Sequence, residues 1–179
     1  MKKNINSFEK IIGIKFKNKN LLLQSLTHKS NNPLNNNEKL EFLGDRVLGL
    51  IISMNLYKLF PKDREGDLDK KLASLVNKKR CVEISNYLSL EDYVLVGDKK
   101  DNSKIENKIL ADTVESIVGA LYLDQGLEVT EKFILNYWKR FLNEKLTIYR
   151  DPKTMLQEYS LKLHKTLPIY KVIENKGPR

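Results

Sequence analysis

Apolar positions along the chain recur mostly at the three-to-four-residue spacing of amphipathic helices. Ser7 to Ile12 and Asn20 to Leu26 predict two short helices, the second opening after an asparagine cap. A longer helical pattern runs from Asn37 to Phe60 and stops at Pro61, because proline disfavours the α conformation of the residue before it. A second long helix is predicted over Gly66 to Leu88. The polar run Gly97 to Ser103 predicts an exposed loop. Two further helices, Ile105 to Leu123 and Glu128 to Leu146, are separated by the stop Asp124-Gln125-Gly126. Strand-like alternation is absent before residue 150, so the expected class of this portion is all-α. At Asp151-Pro152 the pattern restarts, with Asp as cap and Pro at the first helical position, which predicts a helix from Pro152 to His164. Leu167 to Ile173 then alternates and predicts a strand. The expected division is residues 1–147 and residues 148–179.

The first long helix carries an anomaly. In Glu38-Lys-Leu-Glu41-Phe-Leu-Gly-Asp45 the acids stand at i, i+3 and i+7, within about 60° of one another around the helix. A solvated acidic face is the ordinary reading of such a stripe. Here the stripe continues through Leu48, Gly49 and Ile52, and Val47 to Tyr57 is free of charge, so the acids run into an apolar surface. Leu40, Leu43, Val47, Leu50, Ile51 and Met54 form the expected core face. The construction recurs at Asp112-Thr-Val-Glu115, followed by Ser116 to Leu123 without a charge. Partly buried carboxylates are costly, and several near one another repel, so two such pairs brought together call for a cation. Oxygen ligands with no accompanying His/Cys set select Mg²⁺ or Mn²⁺ over zinc. Glycines 44, 49 and 119 are expected to admit the close approach of a helix, a metal or a phosphate.

Composition narrows the partner. The 179 residues are 41% hydrophobic and 31% charged, which excludes a disordered chain. The longest charge-free stretch falls well short of the ~20 residues that span a bilayer. Lys and Arg number 32 against 23 acids, net +9, so polyanions are attracted, and nucleic acid is the first to consider; a Lys- and Asn-rich coding bias is the bland alternative. Cys81 is the sole cysteine, which excludes an intramolecular disulfide and a multi-cysteine zinc site; with no secretory pattern at the N-terminus, it points to a reducing, cytoplasmic setting. A carboxylate-held metal in a basic protein suggests phosphodiester hydrolysis. Cys81 reads as a small buried hydrophobe, His28 as a packing residue, and Tyr137, Trp138 and Phe141 as a core stripe.

Glu38-Lys-Leu-Glu-Phe-Leu-Gly-Asp-Arg-Val-Leu-Gly49 resembles the signature of the ribonuclease III family. Leu26-Thr-His-Lys-Ser30, Glu65-Gly66-Asp67-Leu68 and Ile109-Leu-Ala-Asp112-Thr-Val-Glu115 resemble its other motifs. Asp151-Pro-Lys-Thr-Met-Leu-Gln-Glu158 resembles the opening of its double-stranded-RNA-binding domain. The resemblance implies an all-α endonuclease domain followed by the first helix and strand of an α+β (αβββα) domain. It implies Mg²⁺, with Mn²⁺ as substitute, held by Glu41, Asp45, Asp112 and Glu115, of which Asp45 and Glu115 serve catalysis most directly. It implies that Glu38 and Glu65 lie nearer the RNA and the dimer partner, and that Thr154, Gln157 and Glu158 meet the RNA minor groove. The implied activity is a homodimeric endoribonuclease that cuts double-stranded RNA in ribosomal-RNA precursors and structured messages, leaving 5′-phosphate and 3′-hydroxyl ends, with neither a membrane nor a small-molecule cofactor as partner. A non-catalytic RNA-binding relative is the alternative, disfavoured because a pure binder has no use for mutually repelling acids. Arg46 departs from the serine found in many members.

Overall fold

The computed structural model describes residues 5–97, 104–143 and 152–171, and the chain divides into two compact units, Met1–Leu146 and Thr147–Arg179. The first unit holds six α-helices among its described residues: α1 (Ile5–Ile12), α2 (Lys19–Ser25), α3 (Glu38–Leu59), α4 (Glu65–Leu75), α5 (Lys78–Tyr87) and α6 (Asn107–Asn143). Asn18 caps α2 as expected, its side chain accepting from the Asn20 N–H at 3.0 Å. Phe60, the residue before Pro61, ends α3.

The single helix expected over Gly66 to Leu88 is two helices. After Leu75 the chain turns, and Asn77 caps α5 by accepting from the Arg80 N–H at 3.0 Å. An asparagine gains more from satisfying a free N–H at a helix start than from continuing a helix, and the apolar spacing on either side hides the break. The stop near residue 126 is present: α6 is continuous except at Gly126, which has φ +79° and ψ −174° and breaks the rod into two arms. Just before the break, the Asp124 carboxylate accepts from the N–H groups of Lys17 and Asn18 at 2.8 and 2.7 Å. The Gln125 amide donates to the Lys15 carbonyl at 2.7 Å, so the kink is fastened to the α1–α2 connection.

The core is built around α3 and α6. Leu48, Ile51, Ile52, Val114, Ile117, Val118, Ala120 and Leu121 are fully buried. On the far arm of α6 Trp138 is buried with Phe141, and its indole N–H donates to the Leu75 carbonyl at 3.0 Å, closing the end of α4. The α3 core face is rotated from expectation. Leu50 is half exposed, and Leu48 and Ile52 take its place inside. The buried arc thus reaches the edge of the acidic stripe, and an outer stripe of Phe42, Leu50 and Tyr57 is left exposed.

Where α3 crosses α6 there is no room for a side chain. A Cβ on Gly44 would lie 1.7 Å from the Glu115 carbonyl oxygen, and one on Gly119 would lie 2.2 Å from the Leu40 carbonyl oxygen. Two hydrogen atoms in place of two methyls let the backbones touch. Gly49, the third glycine of this expectation, faces open space.

In the second unit, α7 (Pro152–His164) is present. Residues 167–171 form no strand among the described residues, and 172–173 lie outside them, as does the loop expected at 98–103.

Candidate active site

Backbone contact between α3 and α6 determines what their acids do. Glu41 and Asp45 flank Gly44 on one helix; Asp112 and Glu115 precede Gly119 by seven and four residues on the other. With the helices touching at the two glycines, these residues are brought to one edge of the crossing. Glu41, Asp112 and Glu115 each offer a carboxylate oxygen, and the three oxygens lie within 4.8 Å of one another. All three residues are half-buried. Glu38, Glu41, Phe42, Asp45, Arg46 and Glu115 line a cleft of about 320 Å³.

The electrostatics are those of a carboxylate cluster that nearby cations offset only in part. Burial, then the charges of Asp45, Glu41 and Asp112, push the Glu115 carboxyl from its ordinary 4.5 up to about 7. Burial, then the charge of Asp112, raises the Glu41 carboxyl. Asp112 is raised by burial, opposed by Lys108, Lys78, His28 and Lys29. At neutral pH these groups cannot all ionise at full comfort, and a divalent cation removes that conflict. Clustered carboxylate oxygens suit a hard cation such as Mg²⁺ or Mn²⁺, and the described residues add no His to the group.

Asp45 stands apart from the close trio. It is 41% exposed and paired with Arg46, whose guanidinium also lies 4.9 Å over the Phe42 ring. Glu38, half exposed, forms an ion pair with Lys29 at 2.8 Å. Glu65, the first residue of α4, lines a separate apolar groove of about 580 Å³ with Met54, Tyr57, Leu68 and Leu72. On α7 Gln157 is half-buried and Glu158 exposed, and the Thr154 side chain lies outside the described residues.

Cys81 is more than the small buried hydrophobe expected of it. It is fully buried, but its thiol donates to Glu115 Oε1 at 3.8 Å, and burial, then the charge of Glu115, pushes the thiol well above its usual range. No pattern in α5 announces this contact, because it depends on how α5 lies against α6. His28 stays outside the carboxylate group, its Nδ1 at 2.8 Å from the Ser30 hydroxyl.

The model of the Ribonuclease-III-like family matches residues 18–141, a span that takes in all four acids. The chain belongs to the ribonuclease III family. A Ribonuclease 3 of Pelagibacter ubique is 54% identical to it over 180 residues, covering all of this chain and 81% of that one. A Ribonuclease 3 of Shewanella piezotolerans is 43% identical, covering 98% of this chain and 79% of the relative. Among solved structures, the nuclease domain of ribonuclease III from Campylobacter jejuni superposes with a TM-score of 0.73 at 42% identity, over 79% of this chain and 98% of that domain. The helical unit is thus a ribonuclease III nuclease domain, and the protein is an endoribonuclease. Among the described residues, no helix is long and apolar enough to cross a membrane.

Proposed function

We propose that the chain is a metal-dependent, homodimeric endonuclease for double-stranded RNA, in which Glu41, Asp45, Asp112 and Glu115 hold Mg²⁺, replaceable by Mn²⁺. The observation that carries this reading is the meeting of Glu41, Asp112 and Glu115 within 4.8 Å at the mouth of an otherwise apolar helix crossing. These residues would hold the ion, which would supply Lewis-acid polarisation of the phosphodiester and activation of water. Glu115, the most strongly perturbed acid, gives up its proton as it takes on that role. Cys81 and the backbone crossing orient its carboxylate. Asp45 sits at the open side of the cleft, where Arg46 holds it in the free protein.

Dimerisation is supported by the exposed stripe of α3. Phe42 and Tyr57 are 66% and 75% exposed, and Tyr57 also lines the apolar groove between α3 and α4, so this side of α3 carries both protruding rings and a hollow. Such a self-complementary face suits a two-fold interface. In a dimer each protomer would present one carboxylate centre to one strand of a duplex, leaving 5′-phosphate and 3′-hydroxyl ends. Glu38 and Glu65 are assigned to the RNA-facing and partner-facing margins. Residues 148–179 are assigned to an RNA-binding module whose first helix, α7, would present Thr154, Gln157 and Glu158 to the minor groove. Ribosomal-RNA precursors and structured messages are the substrates that such an enzyme would process.

The test is direct. Labelled duplex RNA and its separated strands are incubated with the protein, with and without Mg²⁺, and product ends are mapped by phosphatase and ligase sensitivity. Metal-dependent cuts confined to the duplex and bearing 5′-phosphates are expected. Cleavage in a metal chelator, or only of single strands, would overturn the reading.

A further inference from the structure

A cluster of carboxylates at a cleft is a poor place to bring a polyanion, yet the nuclease reading requires it. Besides Arg46 in the lining of the cleft, cations from three separate elements act on its acids. Lys108 lies one turn before Asp112 on α6, so the two share a face. Lys78 lies one turn before Cys81 on α5, the residue whose thiol touches Glu115. Lys29, in the connection after α2, reaches Glu38 at 2.8 Å. The charges of Lys29 and Lys108 are felt by both Glu41 and Asp112, and that of Lys78 by Asp112, which places cations on more than one side of the acids. All three lysines are exposed. Among the described residues neither Lys78 nor Lys108 is engaged in an ion pair at contact distance, so both ammonium groups remain free to take another anion.

We propose that Lys29, Lys78 and Lys108 are substrate-positioning residues that grip the backbone phosphates on either side of the scissile one. The proposal rests on the nuclease reading above and adds to it the way an acidic centre admits its substrate. An ammonium makes a point contact with a phosphate oxygen and carries no base information, so this grip is independent of sequence. It also operates before any metal arrives, because the cations offset the acids in the metal-free cleft.

The experiment compares the unmodified protein with Lys78→Ala/Lys108→Ala, with the charge-retaining Lys78→Arg/Lys108→Arg, and with a control, Lys10→Ala/Lys132→Ala, that removes the same net charge from α1 and from the arm of α6 beyond Gly126. Duplex affinity is measured by gel shift across a salt series in Ca²⁺, and steady-state cleavage in Mg²⁺. The alanine pair should weaken binding about ten-fold at low salt and flatten the salt dependence by about two units of slope, near 0.9 for each phosphate that is no longer neutralised. The weakening should fall in KM rather than kcat, the arginine pair should restore it, and the control should shift affinity less than about two-fold. Unchanged affinity and slope in the alanine pair, an equal weakening in the control, or an effect confined to kcat would overturn the proposal. The nuclease reading fails separately, if the unmodified protein does not cut duplex RNA at all.

Discussion

Replacing Glu115 by Gln should make the metal-free protein more stable while abolishing its chemistry. The carboxyl is held at about 7 against an ordinary 4.5. A difference of that size corresponds to at most about 3.5 kcal/mol, at roughly 1.4 kcal/mol per unit. The sign follows from proton binding: below pH 4.5 the group is neutral in folded and unfolded chains alike and the fold incurs no penalty. As pH rises from 4.5 to 7 the unfolded chain sheds its proton while the folded one keeps it, so stability falls, and above 7 the full cost is present. Glutamine is neutral throughout and escapes that decline. Because Glu115 is only part-buried, solvent relaxation should trim the benefit to about 1–2 kcal/mol, or roughly 2–8 °C in melting temperature for a chain of this size. Thermal melts in a chelator should therefore coincide near pH 4.5 and diverge in favour of Glu115→Gln toward pH 8. Adding Mg²⁺ should raise the melting temperature of the parent, since an ion that binds only the folded state stabilises it, and should barely move the variant. Cleavage of duplex RNA by the variant should fall by orders of magnitude while binding persists. A variant that melts no higher than the parent at pH 8 without metal, or that cuts at the parental rate, would refute the account of the site as a repelling carboxylate cluster.

Gly44→Ala should be more damaging than its size suggests: the added carbon must move from 1.7 Å to an ordinary contact distance from the Glu115 carbonyl oxygen. Forcing the two backbones apart should lower stability by about 1–3 kcal/mol and, by misaligning acids on different helices, cut activity about a hundred-fold; circular dichroism melts paired with cleavage rates would separate the two effects, and near-parental activity would show that the crossing does not set the site. Phe42→Glu, at a position already 66% exposed, should leave the monomer folded but shift light-scattering mass to half that of the parent, whereas a parent already monomeric at micromolar concentration would remove the basis for the dimer. Mn²⁺ should support cleavage and Ca²⁺ should support binding with little cleavage, because its longer and looser coordination positions a hydroxide poorly; rapid cleavage in Ca²⁺ alone would contradict the assignment of a tightly held small cation.

The acids were legible in the sequence because helical spacing alone aligns Glu41 with Asp45, and Asp112 with Glu115, at the mouths of charge-free segments. That acids of the two helices meet was legible only indirectly, through Gly44 and Gly119; Gly49 has the same sequence character but faces open space, since a glycine's purpose depends on what stands opposite. The rotation of α3 that exposes Leu50 and buries Leu48 was hidden because that helix is apolar on nearly every side after its second turn, and its orientation is set by α6 rather than by its own pattern. The break at Asn77 was hidden for the opposite reason: α4 and α5 each show good helical periodicity, and capping by one asparagine outweighs continuity. Contacts that join distant segments, such as Cys81 with Glu115 or Asp124 with the N–H groups of Lys17 and Asn18, leave no local mark at all.

The crossing of α3 and α6 has a consequence in time as well as in space. Glu41 and Glu115 are separated by more than seventy residues of chain, and nothing shorter than the closed crossing brings them together. Contacts of such long sequence separation carry the largest loop-closure cost and form only when most of the domain is in place. A growing polypeptide that has displayed α3 but not yet α6 therefore holds only part of the carboxylate cluster and lacks the means to cut. An unfolded or half-made copy is harmless to the RNA around it, including the message from which it is being translated, and the hazard of the enzyme is switched on only with its native state.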